Sequence, residues 1–416
     1  MKKRFLQALI SFLIIMIISA CSDPIFYIIS KEVPIVPPLI DGSPTNFVIF
    51  QGNIYVASGN NLYRYNNKTV DNKDSKRYGR GSWKTSFDKL PGGRIISLAV
   101  SDNYLYALCE NNSGNRVIKR NASPESSSWS EIHADRNLQT FFIAKNELFI
   151  CDINSEGSYN ISHSAEGTIN FSKINTGKRS LLHGVAADAA NLYICTNNGI
   201  YNVGTLNVGA PAAVTTPKRI SGNARTEYNQ FFQGMLSLDN AAGTVVAITR
   251  DGVLYEVFPD RISKRASLNK EKSQRFRSTG TLATWTSGGR NLLLVGRMDT
   301  GYTTSSGHTY GYVEITYDNS GVERKYDKDG STLATDKDGK RVYPDFRVPG
   351  KGSLTTVNNQ ERYISTIGVN PINHMIQAPD ADSDRTLFAV TQKNGVWSLR
   401  VRNDGENKSK YWNAEE

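Results

Sequence analysis

Cysteine is scarce, with four in 416 residues, and no CxxC pair occurs. A small fold stapled by disulfides is therefore excluded. Beyond the first twenty or so residues no apolar run approaches the roughly 20 that a membrane-spanning helix needs, which excludes a multi-pass helical membrane protein. Helical periodicity is missing after that point, so no Gly-rich loop opens a helix to cradle a phosphate, and the motif Gly-x-Ser-x-Gly is absent. What remains is a chain that is 39% hydrophobic, 10% aromatic and 21% charged, with a formal net charge of +10. That content excludes wholesale disorder, and the length suffices for a large core or two domains.

The N-terminus reads as an address. Lys2, Lys3 and Arg4 precede an apolar stretch, Phe5 to Ile18, interrupted by Gln7 and Ser11, and Ser19, Ala20 and Cys21 follow. A cationic start, a short apolar run and small residues make a secretory signal over 1–20. Ile18-Ser19-Ala20-Cys21 resembles the lipobox of bacterial lipoproteins. The resemblance implies cleavage before Cys21, diacylglycerol on its thiol and acylation of the new amine; an ordinary signal peptide or an uncleaved anchor is the other reading. Each buried lipid CH₂ contributes about 0.8 kcal/mol, so two or three acyl chains would hold a soluble body on a membrane. Cleavage would remove Lys2, Lys3 and Arg4, so part of the basic balance belongs to the signal. Residues 21–45, with Pro24, Pro34, Pro37, Pro38 and Pro44, are expected to form a stiff tether, although Ile25 to Ile29 is apolar for such a segment.

The body is a repeat. Seven short apolar runs follow polar turns, beginning at Asn53, Tyr104, Glu147, Asn191, Thr244, Asn291 and Thr386. Their second position is aliphatic (Ile54, Leu105, Leu148, Leu192, Val245, Leu292, Leu387) and the third is usually aromatic (Tyr55, Tyr106, Phe149, Tyr193, Phe388). Continuous apolar runs this short argue for strands buried on both faces. Each is preceded by another apolar segment and followed by a turn and an alternating strand, with Asn198-Gly199, Asp251-Gly252 and Asn394-Gly395 as hairpin signals. A fourth segment closes several units, as at Trp83, Trp129, Phe171 and Tyr411-Trp412. Four antiparallel strands in seven units predict an all-β chain, a seven-bladed β-propeller over 46–416. Setting aside a non-repeating insertion at 327–365, within a stretch from Tyr317 to Ser365 where the pattern breaks, leaves about 47 residues per blade.

The closing hairpins are similar to degenerate Asp-boxes of the broad propeller superfamily. Ser162-His-Ser-Ala-Glu-Gly167-Thr-Ile-Asn-Phe171 follows the outline with the Asp missing, an extra residue before Gly167 and Phe171 for the Trp; Asn121 to Trp129 is weaker. In that family the box is a structural hairpin, so the resemblance implies a blade and no active site. The N-terminal portion, with Cys21-Ser-Asp-Pro-Ile-Phe26 and the propeller behind it, also resembles lipoproteins of spirochaetes, which implies no particular activity.

Candidate chemistry is thin. Cys109, Cys151 and Cys195 fall near the ends of equivalent strands and are expected to be buried packing residues. Asp327-Lys-Asp329-Gly330 and Asp336-Lys-Asp338-Gly339 start like calcium loops, but the closing twelfth positions hold Asp338 and Arg347, so hairpin turns are favoured. Asp380, Asp382 and Asp384 are read as a solvated turn because Arg385 stands where glycine is wanted. The five histidines, His133, His163, His183, His308 and His374, have no metal-site spacing. The basic segment Arg261 to Arg277 is expected to be an exposed loop. Tyr326, Lys328, Lys340, Arg341, Tyr343 and Phe346 of the insertion form the candidate binding loop, since long insertions in repeat folds map to one face.

The expected role is an envelope lipoprotein, lipidated at Cys21, whose propeller binds or scaffolds a protein or glycan. The alternative is a carbohydrate-active hydrolase or lyase with its site in the central channel. Expected partners are the membrane, through the lipid, and an envelope protein or glycan. Export argues against nucleic acid, no cofactor is called for, and a monomer is expected.

Overall fold

The computed structural model describes residues 40, 43–65, 83–87, 90, 93–124, 126–166, 169–176, 180–205, 218–220, 231–267, 277–287, 290–298, 311–324, 361–363, 367, 371–378, 385–392, 395–404 and 407–414. These are strands and turns throughout, arranged as seven antiparallel blades over 48–87, 94–135, 138–174, 182–219, 232–267, 277–322 and 372–414, numbered here 1 to 7. Within each blade the strands pair in chain order from the innermost outward, so every blade is one continuous meander. A parallel fifth strand, Glu361–Tyr363, lies against the outermost strand Asn407–Ala414 of blade 7. The end of the predicted insertion therefore joins a sheet edge. Its beginning is later than Tyr317, because Tyr312–Asp318 and Gly321–Val322 are the third and fourth strands of blade 6.

The second strand of each blade explains the ring. Side chains alternate across a strand, and here both faces are buried. Leu105, Ala107 and Cys109 face blade 1, while Tyr106 and Leu108 face blade 3. Leu148 and Ile150 then face blade 2, and Phe149 and Cys151 face blade 4. The alternation continues to Leu387 and Ala389 against blade 6 and Phe388 and Val390 against blade 1. Seven separate apolar clusters thus fill the seven interfaces between neighbouring blades. Blade 6 differs from its sequence alignment by one residue: Leu292 and Leu294 face the following blade, and Leu293 takes the place that Ile54 and Leu105 hold elsewhere. Trp285, also buried there, supplies the aromatic bulk.

No strand among the described residues is shared between the first and last blades. Among the described residues their seam is closed by side chains: Phe47, Tyr65, Trp83 and Phe388 cluster with ring centroids 4.7 to 6.2 Å apart. Ile40, within the segment read as tether, is buried in the same cluster.

Two-residue turns set the hairpins. Gln51-Gly52 and Lys145-Asn146 both hold positive φ at two successive residues, the mirror-image turn that suits strand twist. The Asp251-Gly252 turn predicted from sequence lies between the strands Val245–Thr249 and Val253–Val257. The degenerate box is the outer hairpin of blade 3, joining Tyr159–Ala165 to Ser172–Ile174.

Candidate functional site

Cys21 and all six candidate loop residues, Tyr326, Lys328, Lys340, Arg341, Tyr343 and Phe346, lie outside the described residues, as do His308 and the three acidic clusters. Among the described residues no three His, Cys, Asp or Glu side chains gather as metal ligands. The basic segment is corrected in part. Ile262–Ser267 is the outer strand of blade 5, and its Arg265 is buried rather than looped out. Arg265 Nη2 and Nε donate to Glu256 Oε2 at 2.5 and 2.6 Å, and Val322 N of blade 6 donates to Glu256 Oε1 at 2.7 Å.

A cavity of about 850 Å³ opens where blades 7, 1 and 2 meet. Four stretches distant in sequence build it: the entry to blade 1 (Ser43 to Asn46), its second turn (Ser58 to Asn61), the start of blade 2 (Arg94 to Ile96) and Asn373 at the start of blade 7. All four lie at the end of the propeller where one blade passes to the next. The connection from Val322 to Ile372, which contains the insertion, re-enters the ring at this end but leaves it near the other, since Val322 pairs with Tyr317 directly after the Asn319-Ser320 turn.

The cavity sits in one sector because the inner strands are unevenly spaced. In blades 2 to 7 the inner strand bulges near its start, leaving Ile96, Gln139, His183, Gln233, Thr279 to Thr281 and Asn373 outside the ladder. A bulge re-aims the extra side chain, and Ile96 and Asn373 both line the cavity. The paired residue after the bulge meets the next blade. In blade 5 it is Gly234, where an added Cβ would stand 1.9 Å from Gly280 O, so the strands of blades 5 and 6 touch backbone to backbone. The equivalent in blade 1 is Asn46, whose amide spans to blade 2 by donating to Leu98 O at 2.8 Å and accepting from Leu98 N at 2.9 Å. In blade 7 it is His374, whose Nδ1 accepts from Phe47 N at 3.3 Å. Glycine closes one side of the ring, and Asn46 and His374 prop the other side apart.

The lining is amide and hydroxyl in character, with Pro44, Ile95 and Ile96 as apolar wall and Tyr63 buried behind. Among the described residues it contains one charged residue, Arg94, and no carboxylate. Arg94 Nη2 reaches Glu110 Oε1 at only 3.4 Å, and its side chain is 66% exposed. Glu110 is held by Arg116 Nε at 2.8 Å, and that hydrogen bond keeps its carboxyl below the usual range. The guanidinium of Arg94 is therefore only loosely engaged. None of Asn46, Asn60, Asn61, Arg94 and Asn373 stands out in the sequence; the one available signal is Gly59-Asn60-Asn61, an amide pair in the turn where blades 4, 5 and 7 carry Asn-Gly or Asp-Gly.

The opposite end is built for rigidity. Glu166, in the turn of the degenerate box, accepts from Ser101 Oγ, from Tyr106 OH at 2.8 Å and from Asn103 Nδ2 at 2.9 Å, all in blade 2. Asp188 accepts from Tyr193 OH at 2.6 Å and from the N–H groups of Ala190 and Asn191; burial raises its carboxyl, but these bonds outweigh it and hold the group low. Both carboxylates are committed to structure.

No family model and no curated protein matches the chain. Among solved structures it is similar to an ancestral GH74 enzyme, with 13% identity and a TM-score of 0.52 over 91% of this chain and 47% of the enzyme. The likeness is one of fold. The extracellular domain of BT4673 from B. thetaiotaomicron gives a TM-score of 0.49 at 13% identity, over 90% of this chain and 39% of that one. PorZ, a surface component of the type-IX secretion system of Porphyromonas gingivalis, gives 0.45 at 13% identity, over 90% and 39%. The chain spans less than half the length of each of these proteins.

Proposed function

We propose that this chain is a lipid-anchored envelope protein whose propeller binds a protein or glycan, with the cavity and the insertion at 327–365 as its binding surfaces. The carrying observation is the cavity between blades 7, 1 and 2, which gathers four stretches distant in sequence at the end of the ring where one blade passes to the next. The Cys21 lipobox supplies the anchor in this reading. A glycosidase would need two carboxyl groups about 5–10 Å apart. Among the described residues the cavity lining holds neither Asp nor Glu, which favours binding over cleavage.

The test is crosslinking and capture from intact cells, comparing wild type with a variant lacking 327–365, alongside metabolic labelling with a fatty-acid probe in wild type and Cys21→Ser. A partner captured by wild type and lost with the deletion supports the reading, as does label that disappears in Cys21→Ser. Identical capture by both forms removes the insertion from the binding surface. Label retained in Cys21→Ser removes the anchor.

A further inference from the structure

We infer that the cavity between blades 7, 1 and 2 is a saccharide site that selects a hexuronate, a sugar ring bearing a carboxylate. The inference rests on the binding reading above and narrows it to one ligand class and one site.

The volume of about 850 Å³ is in the range of small-ligand sites, with room for a short saccharide. A sugar presents a rim of hydroxyls, each both donor and acceptor, around a carbon face. Side-chain amides match that rim because each offers both functions. Asn60 and Asn373 provide exposed amides from two different blades, and Asn61 stands between them and the Tyr63 hydroxyl, 3.5 Å from its Nδ2. Ile96, turned out of the ladder by its bulge, gives the carbon face an apolar wall. Asn46 is spent on the Leu98 backbone, so it fixes the width of the site and contributes no ligand contact.

Charge then selects among saccharides. Arg94 is the sole charged residue among the described residues of the lining, and its neighbour Glu110 is satisfied at closer range by Arg116. An incoming carboxylate can take the Arg94 fork without displacing a strong pair, and bidentate geometry favours a planar carboxylate. The formal net charge of +10, of which three charges belong to Lys2, Lys3 and Arg4 of the signal, leaves a positive body whose field favours anions.

The test uses the full-length protein in detergent, titrated with short oligogalacturonides and with the same oligosaccharides methyl-esterified, followed calorimetrically. The acid form should bind, and the ester roughly tenfold or more weakly, the worth of a charged hydrogen bond. Arg94→Gln should cost the acid form the same factor and leave the ester unchanged. Asn60→Ala and Asn373→Ala should weaken both forms. Arg261→Gln, an exposed cation beside Asp260 at the far end of blade 5, should change nothing. These positions are exposed, so thermal melting of each variant should match wild type. Equal binding of acid and ester, or no loss in Arg94→Gln, overturns the inference. So does the absence of saccharide binding, or displacement by polyglutamate as effective as by the oligogalacturonide, which would assign the cavity to acidic peptides. A partner captured from cells by a protein that binds no saccharide would leave the binding reading standing and this inference fallen.

Discussion

The Phe47 N–H donates to His374 Nδ1 across the seam between the first and last blades, at 3.3 Å. The bond requires an unprotonated Nδ1. Burial pushes His374 down to about 4, well under its ordinary value. In the unfolded chain the imidazole takes its proton near pH 6.5. Between those values the unfolded state binds more protons than the folded one, so stability is lost as pH falls from about 6.5 toward 4. Burial also lowers His133 and His183, which add in the same direction. Urea unfolding at steps between about pH 7 and pH 4 should show this slope, and His374→Gln should flatten it by on the order of 2 kcal/mol over the range. An unchanged slope in His374→Gln would remove the seam histidine as its source.

Arg265 and Glu256 are both buried and bind each other and the backbone of the next blade. Removing one partner strands a charge, so Arg265→Met or Glu256→Leu alone should cost about 3–5 kcal/mol in chemical denaturation. The double variant should cost less than either single change, because no charge is left buried. Gly321 belongs to the same device: its φ is +109° and an added Cβ would meet Glu256 Oε1 at 2.2 Å. Additive single losses would show that the two side chains act independently.

The blades were legible because a strand buried on both faces leaves a continuous apolar run that repeats. Leu105-Tyr106 and Leu148-Phe149 carry their phase in an aliphatic–aromatic step. Leu292-Leu293-Leu294 carries no such step, so its register could not be fixed from the sequence and was displaced by one. The charge around Arg265 predicts a solvated loop, whereas its partner Glu256, nine residues away on the neighbouring strand, draws it into the blade. The cavity was illegible for a different reason. Asn46, Asn60, Arg94 and Asn373 are ordinary polar residues, brought together only by closure of the ring.

The internal thiols should be silent in the native protein. Cys109, Cys151 and Cys195 are free and buried in blade interfaces. Burial pushes Cys109 up to about 12 and Cys151 up to about 11, and raises Cys195 as well. The thiolate is the reactive form. Maleimide labelling near pH 7.5, read by intact mass on the protein with Cys21→Ser, should add nothing under native conditions and three labels in denaturant. A label acquired natively at any of the three would place that thiol at an accessible surface.

Gly234 and Asn46 occupy equivalent positions, and opposite changes in side-chain size should destabilise both. At Gly234 a methyl group would collide with the Gly280 backbone, which cannot swing aside like a side chain. Gly234→Ala should therefore cost about 3 kcal/mol or more in urea unfolding, the upper range for overpacking. Gly59→Ala is the control, with φ at +58° but open space around it, and should cost about 1–2 kcal/mol. Asn46→Gly removes the spacer and both bonds to Leu98, leaving that backbone pair to find other partners. A loss of about 1–3 kcal/mol is expected, together with weaker saccharide binding even though Asn46 makes no ligand contact. If Asn46→Gly binds as wild type does, the cavity owes its width to something other than the spacing between blades 1 and 2.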